Sequence, residues 1–220
     1  MPTIKNRLNI AIITEKDNWF DAYTNIYKRY FKSLGHRVKF FYNHNESIKG
    51  YDLVFLLSYL KIVNKKFLSQ NKHNIVIHES NLPKGKGWAP LFWQIIKGKN
   101  KIVFTTFEAN ENIDDGNYYF KDILKFNGDE LYDEIRYKQA LKRFYCCRKI
   151  ISNFDKLKPK KQIGQSTFFK RRTKKDSELN INRSIKSQFN LFRSVDNDNF
   201  PAFFYHKKFK YFVKIFKEKK

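Results

Sequence analysis

The chain has 220 residues, with 45 Lys and Arg against 21 Asp and Glu (formal net charge +24), 23 Phe and 13 Tyr, but only 8 glycines. That length accommodates one domain with a real core and at most a small appendage. No apolar run reaches the ~20 residues of a membrane-crossing helix and no basic-plus-apolar leader opens the chain, so a soluble protein with no membrane partner is expected. Cys146 and Cys147 are adjacent, where a mutual disulfide is unfavourable, and a reduced, cytoplasmic chain follows as the expectation. The basic residues are spread along the sequence, with local concentrations at 156–161, 170–175 and 207–220. This distribution reads as a solvated lysine surface that can also attract small anions, in preference to a nucleic-acid interface.

Leu8–Thr14 reads as a short apolar strand, and Asn18–Leu34 as a helix with an aromatic stripe at helical spacing (Trp19, Tyr23, Ile26, Tyr27, Tyr30, Phe31, Leu34) closed by Gly35. Arg37–Tyr42, Asp52–Leu57 and Asn74–His78 follow as strands. Pro90–Lys97 is helical in pattern and stopped by Gly98, Lys101–Phe107 is a fifth strand, and Gly116–Phe126 is extended. Gly128-Asp129-Glu130 opens a long helix to about Ile150, with Leu131, Ile135, Leu141, Phe144 and Tyr145 as its expected buried face. The basic stretch 156–175 reads as a loop or extended arm. Asn180 is a candidate cap for a helix ending near Phe192. Phe200–Phe216 reads as an aromatic hairpin around His206-Lys207-Lys208, expected to pack on the main domain or on a partner subunit. Alternating strands and helices with continuous apolar strands predict an α/β fold with a doubly wound, mainly parallel sheet, followed by a small C-terminal helix and β-hairpin. Ligands bind such sheets beyond the carboxyl ends of the strands, and His78 stands at one of those ends.

The segment His78-Glu79-Ser80-Asn81-Leu82-Pro83-Lys84-Gly85-Lys86-Gly87 places an imidazole where an apolar strand enters a Pro/Gly-rich turn, and Asp114-Asp115-Gly116 follows a later strand. A histidine held by a carboxylate at a sheet rim has the chemistry of a general base. No metal-ligand set is assigned.

With Ala89-Pro90, Trp93-Gln94-Ile95-Ile96, Gly98 and Ile113-Asp114-Asp115-Gly116 added, this stretch resembles the catalytic domain of formyltransferases that use N10-formyltetrahydrofolate. That family includes methionyl-tRNA, glycinamide ribonucleotide and nucleotide-linked amino-sugar enzymes. Arg172-Thr173, Asp176-Ser177, Asn190–Asn197 and Phe200–Phe204 resemble the tail of the sugar N-formyltransferases of surface-polysaccharide pathways. The resemblance implies a Rossmann-like catalytic domain over 1–150 and an appendage over 151–220 too short for the larger C-terminal barrel of the tRNA enzymes. It implies formylation of a nucleotide-linked amino sugar for a surface glycan such as an O-antigen or lipopolysaccharide, by a homodimer. A methionyl-tRNA formyltransferase and a degenerate, non-catalytic homologue are the alternatives.

Within the resemblance His78 is the proton-transfer residue, and Asp114, two residues before the glycine, is its carboxylate partner; Asp115 is expected to serve the turn. Where relatives carry an oxyanion-steadying asparagine two residues before the histidine, this chain has Val76. Asn74 lies on the same strand face about 7 Å further back, and Asn81, just after His78, is the candidate to fold over the site. For the folate, the resemblance points to Ser58, Tyr59, Leu60 and Ile62 after the third strand, and to Asn110, Asn112 and Ile113 in the facing loop. Lys16, Lys84, Lys86 and Trp88 are candidates for the sugar-phosphate side; the lysines read equally well as plain surface residues. The turn Glu15-Lys16-Asp17-Asn18 departs from the glycine- or serine-rich phosphate loop of related nucleotide enzymes.

Overall fold

A computed structural model describes residues 7–218; Lys219 and Lys220, at the end of the last basic concentration, lie outside the described residues. The first half alternates as read. Strand β1 (Asn9–Ile13), helix α1 (Asp21–Ser33), β2 (Arg37–Phe41) and β3 (Leu53–Leu56) are followed by α2 (Lys65–Ser69) and β4 (His73–His78). The strands β2, β1, β3 and β4 lie side by side in that order and run parallel.

Strand parity divides the core. Ile10, Ile12, Leu53, Phe55, Ile75 and Ile77 face one side of the sheet with α1 and a later helix. Ala11, Ile13, Val54, Leu56 and Val76 face the other, where Phe67 of α2 covers them. Both faces are therefore dry, which is why these strands are continuously apolar. Helix α1 ends as its sequence requires: Gly35 donates to Lys32 O and His36 to Phe31 O, a paired closure of the last turn. Helix α2 was hidden in the sequence by its brevity; Asn64 starts it by accepting the Phe67 N–H.

After β4, a two-residue strand β5 (Lys86–Gly87) and α3 (Pro90–Ile96) lead into β6 (Lys101–Glu108) and β7 (Tyr118–Lys125). Here the parallel expectation fails locally. β6 pairs antiparallel to β4, with His78 opposite Thr105, and β7 runs antiparallel to β6. The chain leaves β4 and re-enters β6 at the same end of the sheet, so α3, only 7 residues long, never crosses it. The sheet remains mainly parallel, with six strands in the order β2-β1-β3-β4-β6-β7.

Helix α4 (Tyr132–Ser152) starts later than the sequence reading placed it. Glu130 folds back to accept the Asn127 and Gly128 N–H groups and so belongs to the turn before the helix. Its buried face also differs: Leu141 and Tyr145 are exposed, while Gln139, Arg143, Cys146, Cys147, Ile150 and Ile151 are buried. Apolar spacing misplaced this face because two polar residues turn inward for a reason given below. Tyr27 OH donates to Ala140 O at 2.6 Å and Phe31 stacks on Phe144 with centroids 5.4 Å apart, which locks α1 to α4. Both cysteines are free and buried.

The basic arm that follows carries strand β8 (Phe168–Phe169), parallel to β5. Helix α5 (Ile185–Phe192) is capped by Ser184, whose Oγ accepts the Ser187 N–H; Asn180, expected as the cap, instead accepts the Asn182 N–H. Strands β9 (Ala202–His206) and β10 (Phe209–Val213) form the hairpin, with Lys207 at φ 52° in its turn. Ala202 and Phe203 are buried, and Leu179, Phe192, Val195 and Ala202 make a small core of their own. Among the described residues no helix is long and apolar enough to cross a membrane.

Candidate active site

The carboxyl end of β4 delivers His78 to the floor of a cleft of about 950 Å³. The ring is held at both nitrogens. Its Nε2 lies 2.8 Å from Gly85 O, and a carbonyl can only accept, so Nε2 carries the proton. In the neutral ring Nδ1 is therefore the basic nitrogen, and it faces Asp114 Oδ1 at 3.6 Å. That separation is too long for a hydrogen bond and becomes an ion pair only when Nδ1 takes a proton. Both side chains are shielded, at 8% and 15% exposure. Asp114 and His78 thus meet, although the chain separates them by α3 and β6.

Asp114 is held in turn. Its Oδ2 accepts the Gly87 N–H at 2.8 Å, and its backbone sits at φ 49°, in the left-handed region. Such a conformation in a residue with a side chain costs about 1–3 kcal/mol and persists only when its surroundings fix it. Gln162, from the basic arm, supplies that fixing: its Nε2 donates to Asp114 O at 3.0 Å and to Gly116 O at 2.8 Å. Gly116 lies so close to β6 that a Cβ there would stand 1.6 Å from Glu108 O. Asp115 pairs with Lys86, as befits a turn residue, so Lys86 is buried and committed away from the cleft.

The same arm clamps the loop that holds His78. Thr167 accepts the Gly85 N–H with both its carbonyl and its Oγ1, and Phe169 O accepts the Trp88 N–H. Gly87, at φ 90°, would place a Cβ 2.7 Å from Phe169 O, so the clamp tolerates no side chain there. The stretch read only as a loop or arm therefore supports the loops beside His78 and Asp114. A Gln and a Thr in a lysine-rich segment gave no sequence signal for this.

Behind His78, Glu79 is buried against α4. Arg143 Nε and Nη2 each lie 2.6 Å from Glu79 Oε1, and Gln139 Nε2 donates to the same oxygen at 2.8 Å. Burial opposes the Glu79 charge, but the Arg143 cation, its hydrogen bond and the nearby His78 and Gln139 outweigh it, so the carboxyl titrates below its usual range. This network explains the inward polar residues of α4. Arg143 continues through Nη1 to Ser58 Oγ, tying the α4 face to the loop after β3. Arg136, Gln139 and Arg143, spaced three and four apart, form one polar stripe on α4, and that spacing is the signal the sequence carries for it.

Ser58, Tyr59, Leu60, Ile62, Asn110, Asn112 and Ile113 all line the cleft. Ser58 has φ 53°, its carbonyl accepting from Asn18 Nδ2, and the Tyr59 hydroxyl accepts the His44 N–H. Val76 lines the cleft as apolar wall at the position where relatives carry an asparagine. Asn81 does not compensate. Its Oδ1 accepts from Lys121 Nζ at 2.7 Å and it is absent from the lining, so the geometry gives it no oxyanion role. Asn74 is also turned away, donating to Leu68 O. Trp88 lines the cleft, but Lys16, Lys84 and Lys86 do not; the cations at its wall are Arg136, Arg143, Arg171, Arg172 and Lys61.

A family model described as formyl transferase matches residues 5–142. A methionyl-tRNA formyltransferase from Thermodesulfovibrio yellowstonii is 29% identical over 150 residues, covering 66% of this chain and 48% of that protein. The chain spans about half the length of such curated relatives. Among solved structures, methionyl-tRNA formyltransferase from Clostridium thermocellum superposes with TM-score 0.80 at 22% identity, covering 96% of this chain and 94% of the other. A sugar N-formyltransferase from Shewanella sp. superposes with TM-score 0.71 at 15% identity, covering 96% and 98%.

Proposed function

The chain belongs to the formyl transferase family, and from that premise we propose that it moves a formyl group from N10-formyltetrahydrofolate to the amino group of a nucleotide-linked amino sugar. The observation that carries this reading is the pairing of His78 Nδ1 with Asp114 on the floor of the cleft.

The donor supplies the activated formyl carbon. The loops at 58–63 and 109–113 suit its flat, reduced pteridine: Leu60, Ile62 and Ile113 line the cleft yet are 56%, 58% and 49% exposed, an apolar surface left uncovered. An attacking amine must be neutral and must shed a proton on bonding to the formyl carbon. His78 Nδ1 accepts that proton, and Asp114 at 3.6 Å steadies the imidazolium. Gly85 O keeps Nε2–H in place, so the ring cannot turn its protonated nitrogen to the substrate. His78 then returns the proton to the departing nitrogen. Val76 adds no hydrogen bond, so electrostatic help to the forming oxyanion comes from elsewhere in the site.

The amino-sugar acceptor rests on the resemblance of the C-terminal segment to sugar N-formyltransferase tails; that segment folds onto the core and contributes Arg172, Thr173 and Ser194 to the cleft wall. On this reading 1–150 is the catalytic domain and 151–220 the acceptor-binding appendage. The product feeds a surface glycan and the enzyme works in the cytoplasm. The exposed hairpin aromatics Phe209 and Phe212 serve a homodimer.

Methionyl-tRNA formylation is the second reading, favoured by the name of the curated relatives and by the +24 charge. Formyl transfer to a panel of dTDP-, UDP- and GDP-linked amino sugars and to methionyl-tRNA, with His78→Asn alongside, decides between them. Transfer to a sugar nucleotide, lost in H78N, is the expected result. Transfer only to tRNA, falling steeply with salt, removes the sugar reading; equal rates in H78N remove His78 from the mechanism.

A further inference from the structure

Arg136 on α4 and Arg172 on the arm are brought to the same aromatic ring: their guanidinium carbons lie 4.4 and 5.8 Å from the centre of Phe92. Both line the cleft. Two cations placed together in a partly buried wall repel each other and lose hydration. Elsewhere the molecule offsets such costs with carboxylates, Glu79 for Arg143 and Glu130 for Arg193. Among the described residues no carboxylate lies within ion-pair reach of Arg136 or Arg172. Their hydrogen bonds go to neutral acceptors, Arg136 Nη1 to Gln139 Oε1 at 2.9 Å and Arg172 Nη1 to Ser194 O at 3.2 Å. Arg136 Nε is buried with no partner.

Asp133, Asp196 and Asp198 also line the cleft, but among the described residues none pairs with either arginine. Asp176 accepts from Lys170 and Thr173, and Asp196 accepts the N–H groups of its own turn at 198 and 199. Asp133 is exposed in the first turn of α4. What the pair lacks is an anion from outside the chain.

The two places open onto one cleft, but the apolar clusters that support them lie on opposite faces of the sheet. Phe92 packs in the core cluster on the α1 and α4 face, whereas Tyr59, Val76 and Ala109 pack on the opposite face. His78, at the strand end, lies between.

We propose that Arg136 and Arg172 form an oxyanion subsite that takes the diphosphate of the acceptor, apart from the donor loops. The proposal rests on the amino-sugar reading and sharpens it. Two planar guanidinium forks match the several oxygens and multiple charge of a diphosphate, where a single carboxylate would neutralise only one of them. Trp88, with Arg171 over its ring at 4.9 Å, extends the wall with a flat apolar surface for the nucleoside beyond. The lysines at 16, 84 and 86 are replaced in this role by arginines.

The test is calorimetric titration of the full chain with inorganic pyrophosphate, and separately with tetrahydrofolate, neither of which needs formyl transfer. The parent is expected to bind pyrophosphate saturably. Arg136→Gln and Arg172→Gln should each weaken it about tenfold or more, the loss of one charge-assisted contact. Arg172→Lys should recover part of the loss, Lys84→Ala should change nothing, and tetrahydrofolate affinity should hold in all variants. Absence of saturable pyrophosphate binding to the parent overturns the subsite without recourse to any variant. Loss of tetrahydrofolate affinity in R136Q or R172Q assigns the arginines to the folate carboxylates and overturns it too. So does binding of tRNA, but not pyrophosphate, that R172Q abolishes. Failure of tetrahydrofolate to bind the parent would count against the formyl-donor reading alone.

Discussion

Gln162 reaches across to Asp114 and donates to its carbonyl at 3.0 Å, so a side chain from the basic arm fixes the backbone of the carboxylate that faces His78. Gln162→Ala should lower kcat by about five- to tenfold, the worth of one or two hydrogen bonds. KM for donor and acceptor should stay near the parent values, because Gln162 does not line the cleft. Steady-state kinetics check this, and an unchanged kcat would show that Asp114 keeps its place unaided.

Asn81→Ala should leave kcat within about twofold. An asparagine that steadied the oxyanion would cost ~10²–10³ on removal, but Asn81 spends its carbonyl on Lys121. A loss of that size would mean that the loop folds inward when substrate binds.

The buried pair Glu79–Arg143 predicts strong non-additivity. Glu79→Leu or Arg143→Met alone leaves an uncompensated buried charge and should cost about 3–5 kcal/mol in urea denaturation; the double variant should cost clearly less than either. Additive losses would show that the two side chains do not act on each other.

Glu130 sets an acid limit on stability. Burial works against its charge, but Lys138 and the N–H groups of Asn127 and Gly128 outweigh it and hold the carboxyl at about 2, from an ordinary 4.5. A depressed carboxylate contributes stability that is present above 4.5 and is lost as pH falls toward about 2. The parent should therefore show a declining thermal midpoint across that window. Glu130→Gln should start lower at neutral pH and decline less there; parallel curves would remove Glu130 as the cause.

The sequence disclosed most of the fold because its strands are apolar on both faces and its helix ends are chemically marked, as Gly35 illustrates. It disclosed His78, Asp114 and the loops at 58–63 and 109–113 as neighbours because motif and strand end coincide. It misdirected the reading of α4, where Gln139 and Arg143 turn inward to serve Glu79 and so break the apolar spacing. Asn81 and the lysines failed for a related reason. Residue type gives a candidate, but partners decide where a side chain points, and Lys121 and Asp115 had prior claims. The arm was illegible because its grip runs mainly through carbonyls and N–H groups, which every residue owns.

That grip gives the molecule an order of maturation. A ribosome produces the sheet, His78 and Asp114 long before Gln162, Thr167 and Phe169 emerge. Until then the nascent protein holds His78 and Asp114 on loops that lack the arm's hydrogen bonds, and Arg172 has yet to reach Phe92. Competence should arrive as one late step during synthesis, when the final third of the polypeptide threads back over the part made first.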